Sequence, residues 1–279
     1  MTDGGGMTDG GGTTGDGAMT GPGAATDRRA ARVARWLDAL DARHLERLTV
    51  AEVRRGLQAL SAIYVERRGR HLAAGDALAG AGKRAAFALF YGTLHFMLVR
   101  AIVRATGAAS PAPRVILDLG CGTGAAGAAW ALETDGASRL SGVDRSGWAI
   151  DEARWNWRTL GLHGAADRGD VARAELPGRG GAILAAFLAN ELSAEGRAGL
   201  RDHLLAAAGR GAAVLVVEPV ARRALAWWDD WAAAFGAAGG RTDTWRFPAD
   251  LPERVRLLDR AAHLDHRELT GRSLYIAGR

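Results

Sequence analysis

Between residues 28 and 107, apolar side chains recur at three- and four-residue intervals: Val33, Trp36, Leu37 and Leu40, then Val53, Leu57, Leu60 and Tyr64. That spacing places each set on one face of a helix. Thr49 followed by Glu52 is a capping-box start for the second helix. A third segment, about Lys83 to Thr106, is apolar on most faces, as expected of a helix buried between this region and the remainder of the chain. Pro111 and Pro113 then interrupt the chain and mark a boundary.

Beyond Pro113 the rhythm changes to short apolar runs alternating with helical stretches. Val115–Leu119, Leu140–Asp144, a run ending near Asp170, Gly181–Phe187 and Ala212–Glu218 read as strands, each followed by a helix except the third. Alternation of this kind predicts an α/β fold with a mostly parallel sheet covered on both faces. Two further candidates, Thr242 to Phe247 and Ser273 to Ala277, lack the usual crossover and suit an antiparallel pair at one sheet edge.

The 279 residues allow one large domain or a domain with an extension. We divide the chain into a Gly/Thr-rich tail (1–27, expected to be disordered), a basic helical cap (28–109) and an α/β domain (110–279). In the tail, Met1–Gly6 repeats as Met7–Gly12 and offers too little apolar surface to offset ordering entropy. Hydrophobic residues at 48% and charged residues at 24% exclude collagen-like and wholly disordered chains. The longest uncharged apolar run, Ala85 to Val99, is short for a membrane span and holds Gly92, Thr93 and His95, so no membrane association is expected. Lacking a basic, apolar leader, the chain is expected to be cytoplasmic. Cys121 is the only cysteine, which excludes thiolate zinc sites and iron–sulfur clusters within the chain, and the histidines show no metal-ligand spacing.

Charge is unevenly distributed. The tail carries −4, residues 28–109 carry 15 basic against 6 acidic residues, and the remainder is neutral. A basic segment of this kind is either a solvated face or a footprint for RNA or a ribosomal particle.

The chemistry concentrates after the first strand, in Asp118-Leu-Gly120-Cys121-Gly122-Thr-Gly124. Glycines let backbone approach a ligand closely, and the helix start beyond them offers free N–H groups. Such a loop suits a dinucleotide or S-adenosylmethionine equally; Asp118, two positions before the first glycine, would present a carboxylate suited to an ammonium rather than a pyrophosphate. Asp144 ends the next strand, where a carboxylate can accept from ribose hydroxyls. Cys121 reads as a small loop residue, Tyr91 and His95 as packing or as a lining of the acceptor pocket, and Trp227, Trp228 and Trp231 as packing.

On these motifs, with Gly142-Val-Asp144-Arg145-Ser146, Gly169-Asp170-Val171, Phe187-Leu-Ala-Asn190-Glu191-Leu192 and Val216-Val-Glu218-Pro219, the segment from Val115 onward resembles the class I S-adenosylmethionine-dependent methyltransferases. The resemblance implies a Rossmann-like seven-stranded sheet, mostly parallel with an antiparallel last strand, preceded by the all-α cap. It implies S-adenosyl-L-methionine as cofactor. Asp118, Gly120, Cys121, Gly122 and Gly124 would hold its methionine end, Asp144 its ribose, and Asp170 and Val171 its adenine, with Arg145 and Asn190 also among the residues that bind it. Asn190 and Glu191 would face the methyl group and the acceptor. Leu60-Ser-Ala-Ile-Tyr64, Tyr91 and Asn190-Glu191-Leu192 are also similar to the small-ribosomal-subunit assembly methyltransferase-like family, whose cysteine-rich region has no counterpart here.

Methyl transfer needs alignment and exclusion of water more than side-chain chemistry. A hydroxyl or protonated amine as acceptor needs a base, for which Glu191 and His95 are the candidates. The Asn-Pro-Pro-aromatic signature of planar-nitrogen methylation is absent, because Asn190 is followed by Glu-Leu. Three functions are compatible with these features: a methyltransferase acting on an unidentified small molecule, protein or rRNA; a non-catalytic cofactor- or RNA-binding assembly factor on the same fold; and, least favoured by Asp118, a nicotinamide-dependent oxidoreductase.

Overall fold

The apolar runs after Pro113 form the parallel part of a seven-stranded sheet. β1 (Val115–Leu119), β2 (Arg139–Asp144), β3 (Gly164–Arg168), β4 (Gly181–Ala186) and β5 (Ala213–Glu218) are joined by β6 (Arg241–Pro248) and β7 (Glu268–Ile276), in the order β3-β2-β1-β4-β5-β7-β6. β7 runs antiparallel to both β5 and β6. The tail strands therefore pair as expected, but β7 inserts beside β5 and leaves β6 at the edge. The computed structural model describes Met1 and residues 22–66, 78–220 and 226–279. Most of the tail, including its duplicated hexapeptide, lies outside the described residues.

β4 and β5 are buried at every position, the signature of strands covered on both faces. β3 at the opposite edge buries only Ala166, and its Asp167 and Arg168 blunt an edge that would otherwise invite pairing. Because β1 has β2 on one side and β4 on the other, the strand order reverses there, and a crevice opens beyond the carboxyl ends of β1 and β4.

On one face pack α3 (Ala81–Thr106), α4 (Ala125–Glu133), α5 (Gly147–Thr159) and α8 (Glu253–Ala261), with α1 (Pro22–Leu45) and α2 (Val50–Glu66) outside them. The other face carries α6 (Ala194–Gly209) and α7 (Ala226–Ala237). α4 is so alanine-rich that eight of its residues are buried, which lets its backbone lie close against β1. α3 is long and apolar enough to cross a membrane, yet 67% of its most apolar window is buried inside the fold, so its apolarity serves the core. The turn Phe87–Gly92 of α3 is π-helical.

One sequence-based boundary changes. α1 begins at Pro22, so residues 22–27, expected from sequence to belong to the tail, are helical; proline suits the first helical position because its missing N–H would be unpaired there anyway. The cap shares its core with the α/β domain. Trp36, Leu40, Leu57 and Phe90 belong to the same core as Ile116 and Trp130 of the α/β domain. Where α2 crosses α3, a Cβ at Gly56 would collide with the carbonyl of Gly82, so only glycine permits the approach. Arg29, Arg100 and Arg104 all bond Glu133, and Arg43 and His44 bond Glu152. Arg32 donates to the carbonyls of Leu160 and Gly161 beyond α5.

Candidate functional site

The site forms where β1, β2, β4 and β5 end. Gly120, Gly122 and Gly124 have φ values of +64°, +52° and +72°. This left-handed region strains other residues, so the chain turns tightly from β1 into α4 only with glycine at these positions. A Cβ at Gly120 would lie 2.7 Å from Leu188 and one at Gly124 2.6 Å from Trp157. At Gly122 it would meet nothing nearer than Phe87, at 4.0 Å. Gly122 therefore faces the open side of the loop, and the cradle has the form that a ligand's approach to backbone requires.

Asp118 differs from the sequence expectation. It is 1% exposed, and its Oδ2 accepts the N–H of Gly127 in the first turn of α4 at 2.9 Å. Rather than presenting a free carboxylate to a ligand, it braces the loop from beneath. Burial pushes its pKa up to about 7 despite that bond, and the charge of Asp144 adds to the rise. The competing principle is local: a carboxylate two residues before the turn finds the unpaired N–H groups of the helix start before it finds a ligand.

Asp144 stands as expected at the tip of β2. Its Oδ2 accepts the N–H of Gly122 at 2.9 Å and its Oδ1 that of Ser146 at 2.8 Å. Ser146 in turn caps α5 by accepting from Ala149. The acid thus joins the glycine loop to the start of the next helix. Beside it, Arg145 donates to Asp170 at 3.0 Å, and Asp170 also caps a short turn by accepting from Ala172. Those bonds, the Ala172 N–H first, hold the Asp170 carboxyl below its usual range. Val171 is buried in the core cluster of the α6–α7 face. Cys121 is buried in the loop, its N–H bonded to the Val143 carbonyl at 3.1 Å. Burial, then the charges of Asp118 and Asp144, pushes its thiol well above the usual range, which removes it as a nucleophile at neutral pH.

Asn190 and Glu191 lie in a short turn after β4. Asn190 Nδ2 donates to Glu218 Oε2 at 2.6 Å, and the N–H of Ala189 donates to Glu218 Oε1 at 2.7 Å. Glu218, fully buried at the end of β5, thereby fixes the turn that presents Glu191. Burial pushes Glu218 up to about 7, with the bonds from Ala189 and Asn190 pulling the other way. Glu191 reaches solvent but is ringed by protein, and that desolvation, followed by the charge of Asp144, pushes it up to about 7 as well. A carboxyl with that pKa is poised to exchange a proton at neutral pH.

Sequence reasoning gave no role to Glu218; a lone acid ending the apolar run Ala213–Val217 was the available signal. Phe187 also went without one. It has φ +58°, and its ring stacks on His95 with centroids 3.8 Å apart. His95 also faces Phe87 and Tyr91, and burial lowers its pKa to about 3, leaving a neutral imidazole that is a poor base. The four rings and Trp148, edge-on to Phe87, make an aromatic wall beside the glycine loop. His266 is taken up by Asp259, at 2.5 Å, and by the Phe90 ring.

Residues 98–185 match the family model of the methyltransferase small domain. No curated protein matches the chain in sequence. Among solved structures, the chain is similar to magnesium protoporphyrin IX methyltransferase from Synechocystis with bound S-adenosylmethionine, at 17% identity over 66% of this chain and 79% of that one, with a TM-score of 0.47. A plantazolicin methyltransferase in complex with S-adenosylhomocysteine is 12% identical over 86% of this chain and all of its own, with a TM-score of 0.49. A putative RNA methyltransferase from Pyrococcus horikoshii is 16% identical over 66% and 82%, with a TM-score of 0.42.

Proposed function

We propose that the chain is a class I S-adenosylmethionine-dependent methyltransferase and that it methylates an acceptor bearing a removable proton, with Glu191 as the base. The observation that carries this reading is the convergence of three groups at the carboxyl ends of β1, β2 and β4: the open glycine loop, the Asp144 carboxylate and the near-neutral Glu191 carboxyl.

When bound, the cofactor supplies an electrophilic methyl on a sulfonium, whose sulfur leaves uncharged. The backbone from Gly120 to Gly124 would hold its methionine end, with Asp118 acting through the loop it braces. Asp144 and Arg145 would hold the ribose, and Asp170 and Val171 the adenine. Glu191 takes the acceptor's proton as its nucleophilic atom is aligned. Asn190, tied to Glu218, positions that carboxyl. His95 is set aside as base because efficiency falls when the catalytic pKa lies far from the working pH. Its place is in the aromatic wall, which excludes water and favours an acceptor with a flat or apolar body.

The RNA-holding reading draws on the basic cap. Arg29, Arg43, Arg100 and Arg104, which account for a large part of its excess, are engaged by Glu133 and Glu152 of the α/β domain. That favours an enzyme whose cap is a built-in wall of the site.

Calorimetric titration with S-adenosylmethionine and S-adenosylhomocysteine tests the reading. Micromolar binding that Asp144→Ala abolishes is expected. Absence of binding by the folded protein would overturn it.

A further inference from the structure

The cofactor reading, on which this inference rests, assigns the β1–β2–β3 side of the crevice and leaves the β4–β5–β7 side for the acceptor. Arg272 stands there, directly across the antiparallel β5–β7 ladder from Glu218. Its guanidinium lies over the Trp228 ring, 4.0 Å from the centroid, and 5.7 Å from that of Trp227. Trp227 has Arg197 5.1 Å from its centroid. Stacking of this kind fixes the plane of a guanidinium and leaves its edges to hydrogen-bond.

One edge is unused. Arg272 Nε and Nη2 are both buried and have no hydrogen-bond acceptor among the described residues. Glu218 and Asp229 lend the guanidinium opposite charge, but neither accepts a hydrogen bond from these two atoms, and the Glu218 oxygens receive Ala189 and Asn190. Nε and Nη2 together form the side-on fork that grips two oxygens of one carboxylate or phosphate. Elsewhere in this chain the same two atoms do so: Arg241 holds the two oxygens of Asp243 through them. Buried donors without partners are costly and rare, so a vacant fork on a plane set by tryptophan calls for an acceptor from outside the chain.

We propose that Arg272 is the oxyanion receptor of the acceptor subsite, its fork binding a carboxylate or phosphate group carried by the molecule to be methylated. Arg272 as a residue is only partly buried, but Nε and Nη2 themselves are covered, so an oxyanion reaches the fork by a local shift of the side chains over it. Arg272 is the ladder partner of Glu218, which holds Asn190 in the turn that presents Glu191, so anchoring an oxyanion there sets the acceptor's position relative to the base.

The test uses the full chain at low salt, titrated separately with sodium benzoate and with inorganic phosphate. The indole N–H resonances of Trp227 and Trp228, assigned through Trp→Phe variants, report binding, and S-adenosylhomocysteine affinity is measured calorimetrically on the same samples. Saturable shifts at the Trp228 indole with at least one anion are expected, and the anion that binds identifies the group. Arg272→Lys, which keeps the charge but not the fork, should weaken binding about tenfold or more, and Arg272→Met should abolish it, with cofactor affinity unchanged in both. No saturable shift with either anion, or shifts retained in Arg272→Met, would overturn the proposal. Should Arg272→Met fail to fold, the wild-type shifts and the Lys variant decide. Loss of S-adenosylhomocysteine binding by the wild type would count against the cofactor reading alone, because the anion titrations need no cofactor.

Discussion

Trp36 in the cap donates its indole N–H to Asn156 Oδ1 at 2.6 Å, and Asn156 passes the connection on, its Nδ2 donating to the carbonyl of Thr123 in the glycine loop at 2.8 Å. Both side chains are 1% exposed. Next to them, Trp157 Nε1 donates to the carbonyl of Gly124 at 2.8 Å. The loop that would receive the cofactor is thus tied to α5 at two successive carbonyls, and through one of them to α1. Asn156→Leu leaves the Trp36 N–H and the Thr123 carbonyl buried and unpaired. It should destabilise the fold by about 2–4 kcal/mol and weaken S-adenosylhomocysteine binding at temperatures where the variant is still folded. Denaturant midpoints and calorimetry measure the two effects. Unchanged cofactor affinity in the folded variant would mean that the tie does not shape the cradle.

Gly122 and Asp118 separate direct contact from support. A methyl at Gly122 projects into the open side of the loop, and its φ of +52° adds roughly 1–2 kcal/mol of backbone strain. Gly122→Ala should therefore cost most of the cofactor affinity while leaving the protein folded. Asp118→Asn retains an oxygen for the Gly127 N–H, so its loss of affinity should be clearly smaller. Calorimetry on both variants checks the order, and a greater loss in Asp118→Asn would restore a direct role for that carboxylate.

These residues also show what the sequence made legible and why the rest was not. Strand ends, glycine turns and the order Asp118, glycine loop, Asp144 are local, and short-range sterics write them into a few adjacent positions. The seven-stranded architecture followed from the same alternation. The Trp36–Asn156 bond spans 120 positions, and nothing near Asn156 distinguishes it from a surface asparagine. The position of Asp118 was legible, but its bond to the Gly127 N–H was not, because that depends on how tightly alanine-rich α4 sits on β1. The engagement of the cap arginines was hidden for the same reason: a charge sum along the chain does not reveal which charges meet in space.

Glu191 as the proposed base predicts a pH signature for the reaction. Only the ionised carboxylate can take a proton, and its pKa is raised to about 7. Release of S-adenosylhomocysteine with an accepted substrate should therefore rise about tenfold per pH unit below 7 and level off above it. Glu191→Gln should lower the rate by roughly 10²–10⁴ and flatten the profile while keeping cofactor affinity. A His95→Gln variant should retain the limb. If the limb instead disappears with His95 and persists without Glu191, the assignment of the base is reversed.

The buried acids set a second pH dependence, in stability. Asp118 and Glu218 have folded pKa values raised to about 7, against ordinary values of 3.8 and 4.5. The folded state then holds protons that the unfolded state has lost. Stability from these groups is fully present below the ordinary values and declines as pH rises through about 7. The thermal midpoint should fall between pH 5 and pH 8, and Asp118→Asn, which cannot ionise, should reduce that fall. A midpoint that climbs across this range would contradict the burial of both acids.

Glu133 supplies the opposite sign. This side chain, 5% exposed at the end of α4, receives Arg100 at 2.6 Å, Arg29 at 2.8 Å and Arg104 at 2.9 Å. Desolvation raises its pKa, but the hydrogen bonds and charges of Arg104 and Arg100 outweigh it and hold the group below its usual 4.5. Its contribution is therefore present above about pH 4.5 and lost as pH falls through the lowered folded value. Removing one partner of such a group is costly because the others remain without their counter-charge, although Arg104 stands 48% exposed and is screened by water. Glu133→Gln should destabilise by about 2–3 kcal/mol at pH 7, and by progressively less towards pH 4. It should also release the Arg29, Arg100 and Arg104 charges, so that affinity for a non-specific RNA, weak in the wild type, increases and its salt dependence steepens. Denaturant midpoints at pH 4 and 7, with RNA titrations at two salt concentrations, measure both. Equal RNA affinity in wild type and variant would mean that the ion pairs do not screen the cap from polyanions.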